Sequence, residues 1–237
     1  MQFTIDEAVF SLFPRICFGV VIGALPETPP QLSELEALRA ESLASLERRY
    51  PTPEALGEHS QIKAWRAAYS ACGLNPKSHR PTHEALARRL LKSRAFPKIN
   101  GIVDVYLTNQ IEHLVPHGGY DLAHLQGNLE LARSPGGEPF EPLGGGSDLT
   151  DAGELVYRDA ARVLTRRWNY RDCERTKLDV GTRRFLLMIE GFEEVAAVQA
   201  AVEDLAARYQ RVFPGAQLST AVLVASAAAR QHSLAVG

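Results

Sequence analysis

Seven histidines, at positions 59, 79, 83, 113, 117, 124 and 232, are the first residues to weigh for proton transfer or metal binding. His79 and His83 lie four apart, the spacing that aligns two ligands on a helix face, but Pro81 falls between them. Pro116 separates His113 from His117 in the same way. Each pair reads as ligands across a loop or as solvated loop histidines, and no metal is expected. Cys17, Cys72 and Cys173 are widely spaced and form no CxxC pair, which argues against a disulfide framework and a cysteine-held zinc. The chain has no GxSxG, GxxxxGK, HExxH or dinucleotide-binding glycine fingerprint, and no cofactor is expected.

The richest polar stretch is Trp168-Asn169 followed by Arg171, Asp172 and Thr176. Donors and acceptors clustered just past a strand suit a ligand cleft. Equally, Trp168 can fill the core while Asp172 caps a turn with Thr176. Asp104 follows Ile102-Val103 and can bind an ammonium group or cap a helix, and Asn100 and Asn109 share that ambiguity. Glu154, after Gly153, can hold an amine or stand as a plain strand-end carboxylate. Arg66, beside Trp65 and Tyr69, reads as a phosphate contact or as a packing arginine with its head in water. Arg88, Arg89, Lys92, Arg94 and Lys98 make the best RNA-backbone set, or a solvated helix face. Gly144 to Gly146 lacks the strand-before, helix-after context of a phosphate loop and reads as a hairpin tip.

The 237 residues are 45% hydrophobic and 23% charged, the balance of a globular protein and not of a disordered or collagenous one. No apolar run approaches the roughly 18 residues of a membrane span. The N-terminus carries acids where a secretory leader carries bases, so a cytoplasmic protein with reduced thiols is the expectation. The net charge of -2 conceals segregation: residues 63–98 hold 9 basic and 1 acidic side chain, residues 99–157 the reverse, and residues 158–184 again 9 basic against 4 acidic. If the two basic stretches meet they form a face for phosphates; otherwise basic and acidic segments neutralise each other across the fold.

The elements that must position these groups follow from periodicity. Phe3 to Phe13 reads as a short strand or helical turn, and Ile16 to Leu25, β-branched and aromatic, as a buried strand. Ser33 with Glu36 suggests a capping box opening a helix that runs to Tyr50. Ile62, Trp65, Tyr69 and Cys72 form the stripe of a second helix, and Thr82 can cap a third over Glu84 to Lys92. Ile99 to Glu112 is ambiguous, and Pro116 with Gly118-Gly119 suggests a turn. Short strands are expected at 129–133, 139–143, 155–157, 163–168 and 184–189, then an alanine-rich helix from Glu193 to Val212 and a last strand at 218–225. Helices, then strands, then one helix argue for an α+β fold.

Read together, IKAWRAAYSACGLNP, THEALARRLLK, FPKINGIVDVY, GGYDL, LELAR, PGGEPF, GELVYRD, RRWNYRDCERT and GTRRFLLMIEG resemble the B3/B4 domain, the tRNA-editing module of the phenylalanyl-tRNA synthetase β subunit, which also occurs free-standing. The resemblance covers about residues 60–192. It implies two interlocked helix-and-sheet sub-lobes with a cleft between them, sized for an aminoacylated adenosine, where the ester of a mischarged tRNA is hydrolysed. Residues 1–59 would pack on this domain as strand and helix, and 193–237 would complete it. The family's catalytic-site histidine precedes an aromatic-Asp pair, here Tyr120-Asp121, so its slot falls on Gly118 or Gly119 with His117 beside it. Gly118-Gly119 can offer backbone N–H groups to an oxyanion. The family's glutamate slot falls on Arg175, with Glu174 and Asp172 as neighbours.

The resulting expectation is a trans-editing aminoacyl-tRNA deacylase, with a non-catalytic binder of tRNA or of an amino-acid-like small ligand as the alternative. His117 and Asp172 are the catalytic candidates. Asn100, Asp104, Gly118, Gly119, Glu154, Trp168, Asn169, Arg171 and Thr176 are the substrate-binding candidates, and Arg66, Arg88, Arg89, Lys92, Arg94 and Lys98 the RNA contacts. A monomer away from membranes is expected.

Overall fold

A computed structural model describes residues 1–192, 195–226 and 229–235. The fold is α+β, as the element order implied, and its centre is the apolar strand β2 (Ile16–Ala24). β2 lies between β10 (Arg184–Phe192) and β11 (Gln217–Val224), with β3 (His117–Asp121) on the edge beyond β10, all antiparallel. Helices cover one face of this four-stranded sheet. α2 (Leu32–Arg49), α6 (Gly101–His113) and α7 (Val195–Val212) bury Leu38, Val105 and Leu205 against Val21, Phe185 and Leu187. Gly19 and Gly191 allow α7 to approach, since a Cβ at either would meet a Val202 or Val198 methyl at 2.4 or 2.5 Å.

The opposite face packs on a second sheet. Its strands run β12 (Gln231–Ser233), β1 (Gln2–Ile5), β4 (Leu129–Arg133), β7 (Leu155–Arg158), β8 (Val163–Arg166), β9 (Arg171–Asp172), with β1 and β4 parallel. Phe3, Phe18, Leu131, Tyr157, Leu186 and Met188 meet between the sheets. α4 (Ser60–Ala71) closes one end of this core with Trp65 and Tyr69. A satellite core joins α2, α6, α3 (Pro53–Gly57) and α5 (Thr82–Ser93) through Leu46, Leu56, Leu90 and Ile111. The two sub-lobes are these two sheets with their helices. Residues 2–5 lie inside the second sheet, between β12 and β4.

Several local expectations change. Phe3 to Phe13 divides into β1 and the short helix α1 (Glu7–Leu12). The 99–112 stretch is helix α6, capped by Asn100, whose Oδ1 accepts from Val103 N at 3.0 Å. The 117–121 stretch is strand β3 and not a turn, because pairing with β10 holds Gly118 and Gly119 extended. Gln31 is the N-cap of α2 without a side-chain bond, and Glu36 instead pairs with Arg39 and Lys98, so no capping box forms. Pro81 precedes α5 where Thr82 was expected to cap. β5 (Pro139–Phe140) and β6 (Asp148–Leu149) pair as a hairpin whose tip carries Gly144 to Gly146 at positive φ. The first two residues expected in the last helix, 193 and 194, lie outside the described residues.

Candidate functional site

Strand alternation places one carboxylate on the inward row of an otherwise apolar strand. Along β10, Phe185, Leu187 and Ile189 face the helices, while Leu186 and Met188 face the second sheet. Glu190 continues the second row, so its carboxyl enters the space between the sheets, where it is buried. Neutral donors surround it. Tyr157 OH and Trp168 Nε1 (3.1 Å) donate to Oε1, and Asn169 Nδ2 donates to Oε2. Asn169 Oδ1 in turn accepts from Tyr69 OH at 2.6 Å. Burial outweighs these bonds and pushes the Glu190 pKa up to about 7.

Asp172, half-buried on β9, opens on the same crevice. Thr165 Oγ1 donates to its Oδ1 at 2.8 Å, so Tyr120 OH must donate to Thr165, 2.9 Å away. Burial raises the Asp172 pKa against the bond from Thr165. Neither Glu190 nor Asp172 pairs with a lysine or arginine among the described residues. The turn between β8 and β9 aims this cluster: Arg167 and Trp168 both adopt left-handed backbone, φ 49° and 68°, each costing on the order of 1 kcal/mol. The turn swings the Trp168 indole into the core and Asn169 into the crevice.

The crevice encloses about 80 Å³, bounded by Tyr106, His117, Gly118, Tyr170 and Thr82 besides the residues above. That is far below the roughly 300 Å³ at which ligand pockets begin. The expected cleft for a whole aminoacylated adenosine is corrected here to a recess for one small polar group, with anything larger left at its mouth. A Cβ at Gly118 would meet nothing within 4 Å, so the edge-strand backbone is open to the crevice at that point.

The sequence candidates divide sharply. His117, Gly118, Asn169 and Asp172 come together at the crevice. His117 is enclosed within the protein: Nδ1 lies 2.9 Å from Val115 O and Nε2 2.6 Å from Asn109 Oδ1, and burial pushes its pKa down to about 3, so the neutral ring has one N–H to share between these two oxygens. Trp168 is fully buried and reaches the site only through Glu190. Gly119 packs on Leu187 and Leu178. Thr176 is buried against Cys173, and its carbonyl accepts from Asp121 N. Arg171 is exposed and borders no part of the crevice. Asn100 caps α6 and donates to Leu178 O, Asp104 pairs with Arg39, and Glu154 takes Arg166 on both oxygens, all away from the crevice. Arg175, at the family's glutamate slot, pairs with Asp159 at 2.8 Å.

Among the RNA candidates, Arg66 and Arg88 bond Glu84, Arg94 pairs with Glu47, and Lys98 with Glu36; Arg89 and Lys92 are exposed. The two basic stretches do meet, through the Tyr69–Asn169 bond and the His79–Tyr170 ring contact at 5.2 Å. Yet Arg158, Arg162 and Arg166 are neutralised by Glu130, Glu141 and Glu154 of the acidic stretch. The stretches thus meet through side chains other than their lysines and arginines, while several of those bases are paired with acids of other segments.

Glu190 is the principal residue that sequence reasoning missed. Its signal was present: a lone acid in FLLMIEGF, two residues past Met188 on the inward row. Tyr69, Tyr157 and Thr165 carried no comparable signal, because they reach the site from separate elements.

Among the described residues, no helix is long and apolar enough to cross a membrane, and no three His, Cys, Asp or Glu side chains are grouped to hold a metal ion. Two sheets packed face to face under a helical layer, with an acid-lined recess between them, define an α+β domain built around a small polar site. The family model of the B3/4 domain matches residues 64–232, and the chain belongs to that family. Among solved structures, an N-terminal fragment of the phenylalanyl-tRNA synthetase beta-subunit from Pyrococcus horikoshii is similar, with a TM-score of 0.46 and 12% identity over 91% of this chain and 49% of that one. The chain thus spans about half the length of that fragment. No curated protein matches the chain significantly.

Proposed function

We propose that this chain is an aminoacyl-ester hydrolase that acts on aminoacyl-tRNA, with the aminoacyl group entering the inter-sheet recess and the terminal nucleoside staying at its mouth. The observation that carries this reading is the pairing of two carboxylates, Glu190 and Asp172, in one recess with no cation among the described residues to neutralise them. Such a site favours a ligand that brings its own positive charge, and the α-ammonium of an aminoacyl ester does so. Asp172, nearer the rim, takes the ammonium group. Glu190, with a pKa of about 7, is poised to accept a proton from water at neutral pH. The ester is already activated, so placing water beside it supplies most of what the reaction needs. Gly118 leaves space for the ester carbonyl against the strand edge. Membership of the B3/4 family supports the substrate class.

The enclosure of the neutral His117 ring between Val115 O and Asn109 Oδ1 favours a second reading, in which the recess binds an amine-bearing ligand without chemistry. Ester loss from a panel of misacylated tRNAs separates the two. Glu190→Gln is expected to lower kcat by about 100-fold or more, as loss of a general base does, while Asp172→Asn raises KM. Binding without turnover of any panel member would sink the hydrolase and leave the binder.

A further inference from the structure

Where α5 begins, three guanidiniums gather on one buried carboxyl. Arg66 Nε and its terminal nitrogen reach the two Glu84 oxygens at 2.9 and 2.5 Å, Arg88 Nε reaches Oε1 at 2.6 Å, and Arg80 Nε stands 3.4 Å from Oε1. The Glu84 side chain is 0% exposed, while those of Arg66, Arg80 and Arg88 are 33%, 40% and 25% exposed. Burial works against the ionised Glu84, but the bonds from Arg66 and Arg88 outweigh it and hold its pKa below the usual range. At Glu84 one acid faces three bases; Glu58, paired with Lys63 at 2.6 Å, also acts on Arg66 through space, so four bases face two acids here and the balance stays positive.

The cluster is built with care for direction. A Cβ at Gly57 would touch Arg66 and Arg88 terminal nitrogens at 3.4 to 3.6 Å, so both forks lie over one bare stretch of backbone. Ion pairing alone requires one arginine here, since a single bidentate fork saturates a carboxylate. Arg66 and Arg80 keep about a third or more of their side chains exposed to solvent. The cluster also adjoins the recess: Thr82, which borders the crevice, shares the first turn of α5 with Glu84 and lies two residues from Arg80.

We propose that Arg66, Arg80 and Arg88, splayed around Glu84, form a phosphate clamp that grips the RNA backbone beside the mouth of the recess. The choice of RNA among phosphate bearers rests on the aminoacyl-tRNA reading of the recess; the anion chemistry does not. Glu84 acts as the positioning residue, and Arg80, absent from the charge-run candidates, is the most exposed of the three.

The test is anisotropy of a labelled tRNA transcript titrated with the full chain at several salt concentrations. Arg80→Gln is expected to weaken binding roughly fivefold and to lower the slope of log affinity against log salt by about 1. Lys63→Gln, which removes the same charge from the exposed side of α4, is expected to change affinity less than about twofold. Glu84→Gln removes a negative charge, yet it is expected to weaken binding because the forks lose their orientation. Unchanged affinity and slope in Arg80→Gln and Arg88→Gln, at native circular dichroism, would overturn the clamp. An equal loss in Lys63→Gln, or tighter binding in Glu84→Gln, would overturn it too. Hydrolysis of an aminoacyl methyl ester keeps the two proposals apart. If the wild type hydrolyses no ester while the arginine variants lose RNA, the clamp stands and the reading of the recess falls.

Discussion

Around Glu84 stand three guanidiniums; around Glu190 stand a phenol, an indole and an amide. Both carboxyls are withdrawn from water, and both accept close hydrogen bonds. The pKa of Glu84 is nevertheless lowered, and that of Glu190 is raised to about 7. Cations offset the desolvation of a carboxylate, whereas neutral donors offset only part of it. Other withdrawn acids can be compared by their partners. Glu154 with Arg166, Asp159 with Arg175 and Asp104 with Arg39 are likewise carboxylates met by a guanidinium, and each pair ties two segments together. Glu190 and Asp172 belong to the other kind, and they share a recess. Asp121 is also buried with no cation paired to it among the described residues, held by Thr182 Oγ1 and Ala123 N, but it stands outside the recess, so what distinguishes Glu190 and Asp172 is that two such acids share one space.

The largest expected effect tests the paired kind. Arg166 is 2% exposed and serves Glu154, Asp148 and Asp151. Arg166→Met leaves buried Glu154 with only the longer Arg167 contact at 3.7 Å and should cost about 3 kcal/mol, read from the urea unfolding midpoint. A loss below about 1 kcal/mol would break the comparison.

The next effect tests the unpaired kind. Glu190 binds its proton more tightly in the folded state, so its contribution is fully present below pH 4.5, its ordinary pKa, and is lost as pH rises towards about 7. That loss is about 3 kcal/mol at ~1.4 kcal/mol per pKa unit. Asp172 acts in the same direction. His83 and His117, each lowered from 6.5 to about 3, act oppositely, since the unfolded chain takes up their protons first as pH falls below 6.5. The difference between wild type and Glu190→Gln isolates the glutamate: urea unfolding from pH 4 to 8 should show the variant gaining on the wild type as pH rises. A parallel pair of curves would mean that Glu190 titrates normally.

The smallest effect sharpens the boundary of the recess. Gly119→Ala should cost about 1–3 kcal/mol by overpacking, because its Cβ would meet Leu187 Cδ2 at 2.4 Å. Gly118→Val should change stability by less than about 0.5 kcal/mol yet abolish ester turnover by filling the open space. Full turnover in Gly118→Val would place the reacting group elsewhere.

How much of this was legible depends on whether the signal was local. Trp168 to Asp172 stood out as a polar run, and the run does border the recess through Asn169 and Asp172. Asn100 and Asp104 looked like ligand groups of the same quality, but their partners, Leu178 O and Arg39, come from segments 78 and 65 residues away. Gly118-Gly119 reads as a turn in isolation, and only pairing with β10 extends it into a strand. Glu190 was written into an alternating pattern, yet the pattern does not say that the opposing sheet brings no cation to it.

The amino-acid order by itself determined the α+β class, most helix and strand positions, the family resemblance and the segregation of charge, because periodicity, turn residues and composition act within about one element's length. Which acids are neutralised, where the recess lies and how small it is were decided only by tertiary structure. Desolvation and ion pairing depend on what the rest of the chain places within a few ångströms, and no stretch of sequence carries that information alone.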